Sequence, residues 1–283
     1  VNLPVDEQIE AGESITVQKI LPDDFNTGRY LLIRSSLQEI LVQLDGNIIY
    51  ELKFRKDSVL NLPVASLWNI FEVPENSEGK ILSITASSDF ERFNGVINPV
   101  LYGSIGDLNL YIIRNYSFAF FVSLFILILG IFLCLTPLFI KTNQKSAILY
   151  LGLFTVSISL WFMSESRMLQ FFTGSHLLLG SIAYLMLSIF LAPISMYIRE
   201  IVSHKYKKYF LGYAIVFCLN FVLILILQFV GVLTFYESLR FTHLLIILFL
   251  IITTGVIAYE ILKNKNIQAN NIFYSSGFLI LFG

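Results

Sequence analysis

Over roughly the first hundred residues, apolar and polar positions alternate in short runs broken by turn residues, the period-two pattern of strands that bury one face. Ser14 to Ile20 is one such run and Arg29 to Arg34 a second. The clearest is Ile40 to Leu52, reading ILVQLDGNIIYEL, in which Asp45 and Gly46 can supply the positive φ values of a tight hairpin turn. Trp68 to Val73 and Lys80 to Ser87 alternate again around a Pro-Glu-Asn-Ser-Glu-Gly loop, and Gly95 to Tyr102 reads as a further strand. Short strands without a convincing helix predict an all-β sandwich over residues 1–112.

From Tyr116 the alternation stops. Phe118 to Ile140 holds no charged residue and exceeds the about 20 residues that cross a hydrocarbon core. Further apolar runs follow at Ala147 to Met163, Leu177 to Ile198, Phe210 to Val232, Leu244 to Leu262, and from Ile272 onward. Residues 113–283 are therefore expected to form an α-helical transmembrane bundle of five full spans and a truncated sixth. The chain starts at Val1 rather than Met and stops at Gly283 inside an apolar run, so trimming at both ends is expected, with a targeting segment or first anchor helix before Val1.

The short connections orient this bundle. Lys141 and Lys145 follow the first span, Arg199, Lys205, Lys207 and Lys208 the third, and Lys263 and Lys265 the fifth, whereas Arg167 and Arg240 stand alone after the second and fourth. Basic residues concentrate on the cytoplasmic side, so the β domain is expected outside, on a multi-pass protein of the inner (plasma) membrane. Composition agrees: 14% of residues are charged, against about 25% in soluble domains. The net charge of -1 gives no footprint for phosphate-backbone contacts and argues against a nucleic-acid partner.

Catalytic chemistry finds no foothold in the motifs. Gly103-Ser104-Ile105-Gly106 lacks the spacing of a nucleophile elbow, and neither a P-loop nor a dinucleotide fingerprint occurs. His176, His204 and His243 are far apart and Cys134 and Cys218 sit in apolar runs, so no metal, disulfide or cofactor is expected. The spans are nearly free of ionisable groups, which disfavours a coupled transporter. Within them Asn220 is expected to hydrogen-bond to a neighbouring helix, Pro193 to kink the third span, and Ser188 and Ala192 to allow close packing.

Two groups of residues remain as candidates for ligand contact. In the β domain these are Trp68, Arg34, Asp89 and Arg92, although a Trp on an alternating strand is more often core. At the outer ends of the spans Glu165, Arg167, His176, Glu237, Arg240 and His243 would form a polar rim, suited to docking the β domain or to holding a small polar ligand, with an ordinary solvated interface as the plainer alternative.

These segments carry a resemblance. LLIRSS, VQLDGNIIYEL, SLWNIFEVPENSEGKILSITASS and YGSIGDL, the last shortly before the first span, resemble the jelly-roll-like sensor domains of bacterial membrane signalling proteins. LWFMSESRMLQFF and LAPISMYI are similar to the seven-helix receptors with diverse intracellular signalling modules. The resemblance implies a missing seventh helix and a cytoplasmic output module, most often a diguanylate cyclase and otherwise a histidine kinase. The outer domain is then expected to sense a small molecule, carbohydrate-like because sandwich domains with exposed aromatics can bind sugars, with homodimerisation as a natural way to relay the signal. The rival expectation is an accessory subunit of a transporter or membrane enzyme that captures substrate.

Overall fold

The computed structural model describes residues 3–7, 9–23, 25, 29–53, 65–174 and 176–264, so the sixth apolar run and Lys265 lie outside the described residues. The chain divides into two compact units, Val1–Phe121 with Met163–Ser181, and Val122–Phe162 with Ile182–Gly283.

In the first unit, β1 (Val5–Asp6), β2 (Ser14–Ile20), β3 (Tyr30–Ser35), β4 (Glu39–Leu44), β5 (Asn47–Leu52), β6 (Leu67–Glu72), β7 (Ile81–Ser87), β8 (Val96–Ile97) and β9 (Val100–Gly103) build three antiparallel sheets. Their orders are β2-β7-β4-β5, β6-β3-β9 and β1-β8. The β4–β5 hairpin turns at Asp45 and Gly46, whose φ values of 47° and 83° meet the double positive requirement of a two-residue turn. Asp45 also accepts from the Ile81 N–H through Oδ1 at 2.8 Å, tying the turn to β7.

Strict alternation lets the sheets share a core. Ile40, Val42 and Leu44 lie opposite Ala86, Ile84 and Leu82 across β4 and β7, and all six are buried together with Leu31, Ile33 and Phe71 of the three-stranded sheet. Each such aliphatic or aromatic side chain contributes about 1.5–3 kcal/mol on leaving water. A polar link crosses the same core: the Tyr50 hydroxyl donates to Asn69 Oδ1 at 2.9 Å, and Asn69 Nδ2 donates to the Ile33 carbonyl and to Ser35 Oγ. Burial raises the Tyr50 pKa. The run read as one strand from Gly95 to Tyr102 is in fact two, because Pro99 lacks the N–H a continuous ladder needs; β8 pairs with β1 and β9 with β3.

Helix α1 (Ile105–Phe139) begins well before the apolar run at Phe118. Ser104 caps it, accepting from the Asp107 N–H at 3.1 Å and donating to Asp107 Oδ2 at 2.6 Å. Leu108 and Ile112 follow at helical spacing and are buried, with Tyr116 continuing the stripe. The remainder of the first unit is the end of α2 (Lys145–Glu165), the turn after it, the short α3 (Gln170–Thr173) and the start of α4 (His176–Ile189).

The second unit holds the rest of α1 and α2, the remainder of α4, α5 (Leu191–Ile201), α6 (Lys207–Val230) and α7 (Phe235–Asn264). Among the described residues, five helical segments are long and apolar enough to cross a membrane, with α4 and α5 acting as one. That segment is interrupted at Phe190, where Pro193 cannot donate to the Ile189 carbonyl one turn earlier. Helices α1 and α2 approach at Gly130 and Gly152: a Cβ on Gly152 would stand 2.7 Å from the Cys134 backbone nitrogen. Buried polar groups stitch the later helices together, with Asn220 Nδ2 donating to Thr242 Oγ1 at 3.1 Å and Ser195 Oγ to the Phe210 carbonyl at 2.7 Å. Ser203 Oγ donates to the buried Glu260 at 2.5 Å.

Candidate functional site

Strand β6 is an edge strand, and an edge presents unpaired N–H and C=O groups that must be covered. Here a side chain covers the pair at Trp68. Gln170 of α3 accepts from the Trp68 N–H at 2.9 Å and donates to the Trp68 carbonyl at 2.7 Å, so its amide takes the place of one residue of a further strand. Because the Trp68 backbone groups point to Gln170, Trp68 and its cross-strand partner Arg34 form a non-hydrogen-bonded pair, the class in which facing side chains come closest. Arg34 agrees with this assignment: its carbonyl accepts from Asn98 Nδ2 at 2.8 Å on the opposite side of β3.

Trp68 is 7% exposed, yet it lies on the sheet face opposite the shared core, to which Phe71 points. Its ring meets Tyr116 of α1 edge-on at 5.0 Å, and farther along α1 Phe120 stacks on Phe172 of α3 at 5.4 Å. The first unit thus joins the three-stranded sheet to the residues that open α1, end α2 and start α3.

Arg167 enters the same cluster from the turn after α2. That turn is held by the Ser166 hydroxyl, which donates to the Met163 carbonyl at 2.6 Å, and by the Arg167 N–H, which donates to the Ser164 carbonyl at 3.1 Å. Arg167 has φ 59°, the left-handed region that costs a non-glycine residue about 1 kcal/mol or more. Burial, and after it the charge of the neighbouring Arg34, pulls Arg167 below the ordinary arginine range, against opposing influences of Glu165 and Tyr116. Two guanidinium groups are therefore close enough to repel, and among the described residues neither has a carboxylate within ion-pair distance. Arg34 spends one donor, Nη2, on Asn98 Oδ1 at 3.1 Å. Arg34 Nε, Arg167 Nε, Trp68 Nε1 and Ser164 Oγ are all buried without a hydrogen-bond partner among the described residues.

Comparison of the chain with protein-family models, with curated proteins and with solved structures found no match.

The structure brings together Arg34 and Trp68 from the β-domain candidates with Arg167 from the rim candidates, and it places the exposed Glu165 beside them. Asp89 and Arg92 are exposed on the connection between β7 and β8, and among the described residues no hydrogen bond joins them to Arg34 or Trp68. Glu237, Arg240 and His243 belong to the second unit. There Glu237 closes a capping box, accepting from the Thr234 N–H and hydroxyl at 2.8 Å each, while Arg240 and His243 are exposed. His176 starts α4, and its side chain lies outside the described residues. Sequence reasoning passed over Gln170, Ser164 and Tyr116 as parts of a site; the only signal available was the polar SES-R-x-x-Q stretch between two apolar runs.

A concavity of about 170 Å³ opens on the four-stranded sheet and is lined by Glu39, Glu51, Lys53, Thr85 and Ser87, among others. Its charges already answer one another: Lys53 Nζ sits 2.6 Å from Glu51, which raises the lysine pKa. No orphaned buried donor faces it among the described residues, so the Arg34–Trp68–Arg167 cluster is the stronger candidate.

Proposed function

We propose that this chain is a bacterial membrane receptor whose β-sandwich lies outside the inner membrane, senses a small molecule, and biases the helix bundle toward one of two arrangements. The observation carrying this reading is the Gln170–Trp68 clamp with Tyr116 against Trp68. It makes one compact unit of the sheet and of the residues that begin or end three apolar helices. A ligand that alters the cluster between β3, β6 and the α2–α3 turn changes the seating of those helix ends directly, without a flexible linker intervening. The distribution of basic residues supports the outward orientation. The likeness to seven-helix signalling receptors supplies the output: a diguanylate cyclase, or else a histidine kinase, after a seventh helix.

Such a receptor responds only to a ligand that binds one arrangement better than the other. The test is hydrogen exchange on the whole chain in lipid nanodiscs, with and without each compound that raises its melting temperature in a library screen. A receptor gains or loses protection both in β6 and in segments of the second unit such as α5 and α6. Protection confined to the first unit for every bound compound would overturn the reading in favour of a substrate-capturing accessory subunit.

A further inference from the structure

Among the described residues, seven buried side-chain polar atoms lack a hydrogen-bond partner, and four of them belong to Arg34, Trp68, Ser164 and Arg167. Unpartnered buried donors are rare in folded proteins, and each costs stability unless something accepts from it. These four are donors or, for the serine, donor and acceptor. Two of the four sit on guanidinium groups that repel one another and have no counter-charge at ion-pair distance among the described residues. Among the described residues, the acid that bears on Arg167 is Glu165, which is exposed, so the two guanidinium groups outnumber it. Trp68 adds a neutral N–H on a rigid ring, of a residue more than nine-tenths buried, that packs edge-on against Tyr116 while Gln170 holds the Trp68 backbone.

We infer that Arg34, Arg167, Trp68 and Ser164 form a binding site for an oxyanion, a carboxylate or phosphate group of a small ligand or of a lipid headgroup. A planar or tetrahedral oxyanion accepts several hydrogen bonds at once and offsets the repulsion between the two guanidinium groups, and the fork of arginine suits it better than lysine does. A neutral sugar does neither, so the charge of the cluster selects against the uncharged carbohydrates that the sequence alone put first. The strained backbone of Arg167 fits a residue held in place for contact rather than for packing. This inference deepens the receptor reading and rests on it only for the consequence of binding.

The experiment uses the whole chain in dodecyl maltoside, a detergent with neither charge nor phosphate, in a W161F background so that Trp68 is the one remaining tryptophan. Sodium succinate, inorganic phosphate and a short-chain phosphatidylglycerol are titrated against sodium chloride at matched ionic strength, reading Trp68 emission and the melting temperature. A saturable response to succinate or phosphate supports a soluble oxyanion; a saturable response to the phosphatidylglycerol alone supports the lipid source. Equal responses to all salts including chloride, or none, would overturn the site. Without added anion, R167Q should melt at or above the wild-type temperature, because it removes a like-charge repulsion, and it should lose the saturable response; R167K should keep a response weakened tenfold or more. A large drop in the melting temperature of anion-free R167Q would mean that Arg167 is structural and would also overturn the site. If an oxyanion binds and no second-unit segment changes, the site stands and the receptor reading falls; if another compound changes those segments while no oxyanion binds, the reverse holds.

Discussion

Replacing Gln170 by alanine removes both bonds that close the edge of β6, at 2.9 Å and 2.7 Å, while leaving every core residue in place. Each neutral hydrogen bond is worth about 1 kcal/mol net, and the N–H and carbonyl of Trp68, a residue only 7% exposed, recover only part of their solvation. The expected loss is about 2 kcal/mol of local stability, which corresponds to a roughly thirtyfold faster opening of the Trp68 amide. Hydrogen exchange read by mass spectrometry on a peptide covering residues 65–73 measures this against the wild type. Q170E keeps the acceptor for the Trp68 N–H but loses the donor to its carbonyl, so it should fall between the two. Exchange within threefold of wild type in Q170A, with an unchanged melting temperature, would refute the clamp and the coupling built on it.

Other consequences are as concrete. Gly152→Ala places a methyl 2.7 Å from the Cys134 backbone nitrogen and should cost about 1–3 kcal/mol, whereas Gly212→Ala, with nothing within 4 Å, should be neutral or slightly stabilising; detergent thermal melts compare them. Since the folded Tyr50 pKa is raised above its ordinary 10.0, its contribution is whole below about pH 10 and is lost as pH climbs through the folded value, because the unfolded chain ionises first. Tyr50→Phe should abolish that alkaline component in melts of the β region, at a cost of about 1 kcal/mol for the bond to Asn69. A cysteine at the exposed Glu75 should react with a membrane-impermeant thiol reagent on intact cells, and one at Lys205 only after permeabilisation.

Much of this architecture was legible from local rules. The Asp45-Gly46 turn is written in two residues that tolerate positive φ, and the alternation of Ile40, Val42 and Leu44 fixes which face of β4 is buried. Apolar run length alone marked the five long helices. What escaped was set by contacts distant in sequence. The opening of α1 was hidden because Leu108, Ile112 and Tyr116 are interleaved with Asp107, Asn109, Arg114 and Asn115, so the stripe is too narrow to see without the cap at Ser104. Pro99 could have signalled the division of β8 from β9, since its missing N–H ends a ladder. Arg34, Trp68 and Arg167 were each visible as chemistry out of place, but the register that sets Arg34 against Trp68 and the glutamine that docks on β6 are tertiary facts. Gln170 in a short polar turn looks like any solvated residue until its partner 102 positions away is known.

Under the proposed receptor reading, an event at the Arg34–Trp68–Arg167 cluster rearranges the helix bundle. The most direct measurement is the distance distribution between spin labels at Lys141→Cys and Lys205→Cys, in a chain with Cys134 and Cys218 replaced by serine, reconstituted in nanodiscs. Binding of the oxyanion, verified by Trp68 emission in the same sample after Trp161→Phe, should shift that distribution by at least about 1–2 Å, and R167Q should hold it at the anion-free position. An identical distribution with the ligand demonstrably bound would rule out this coupling.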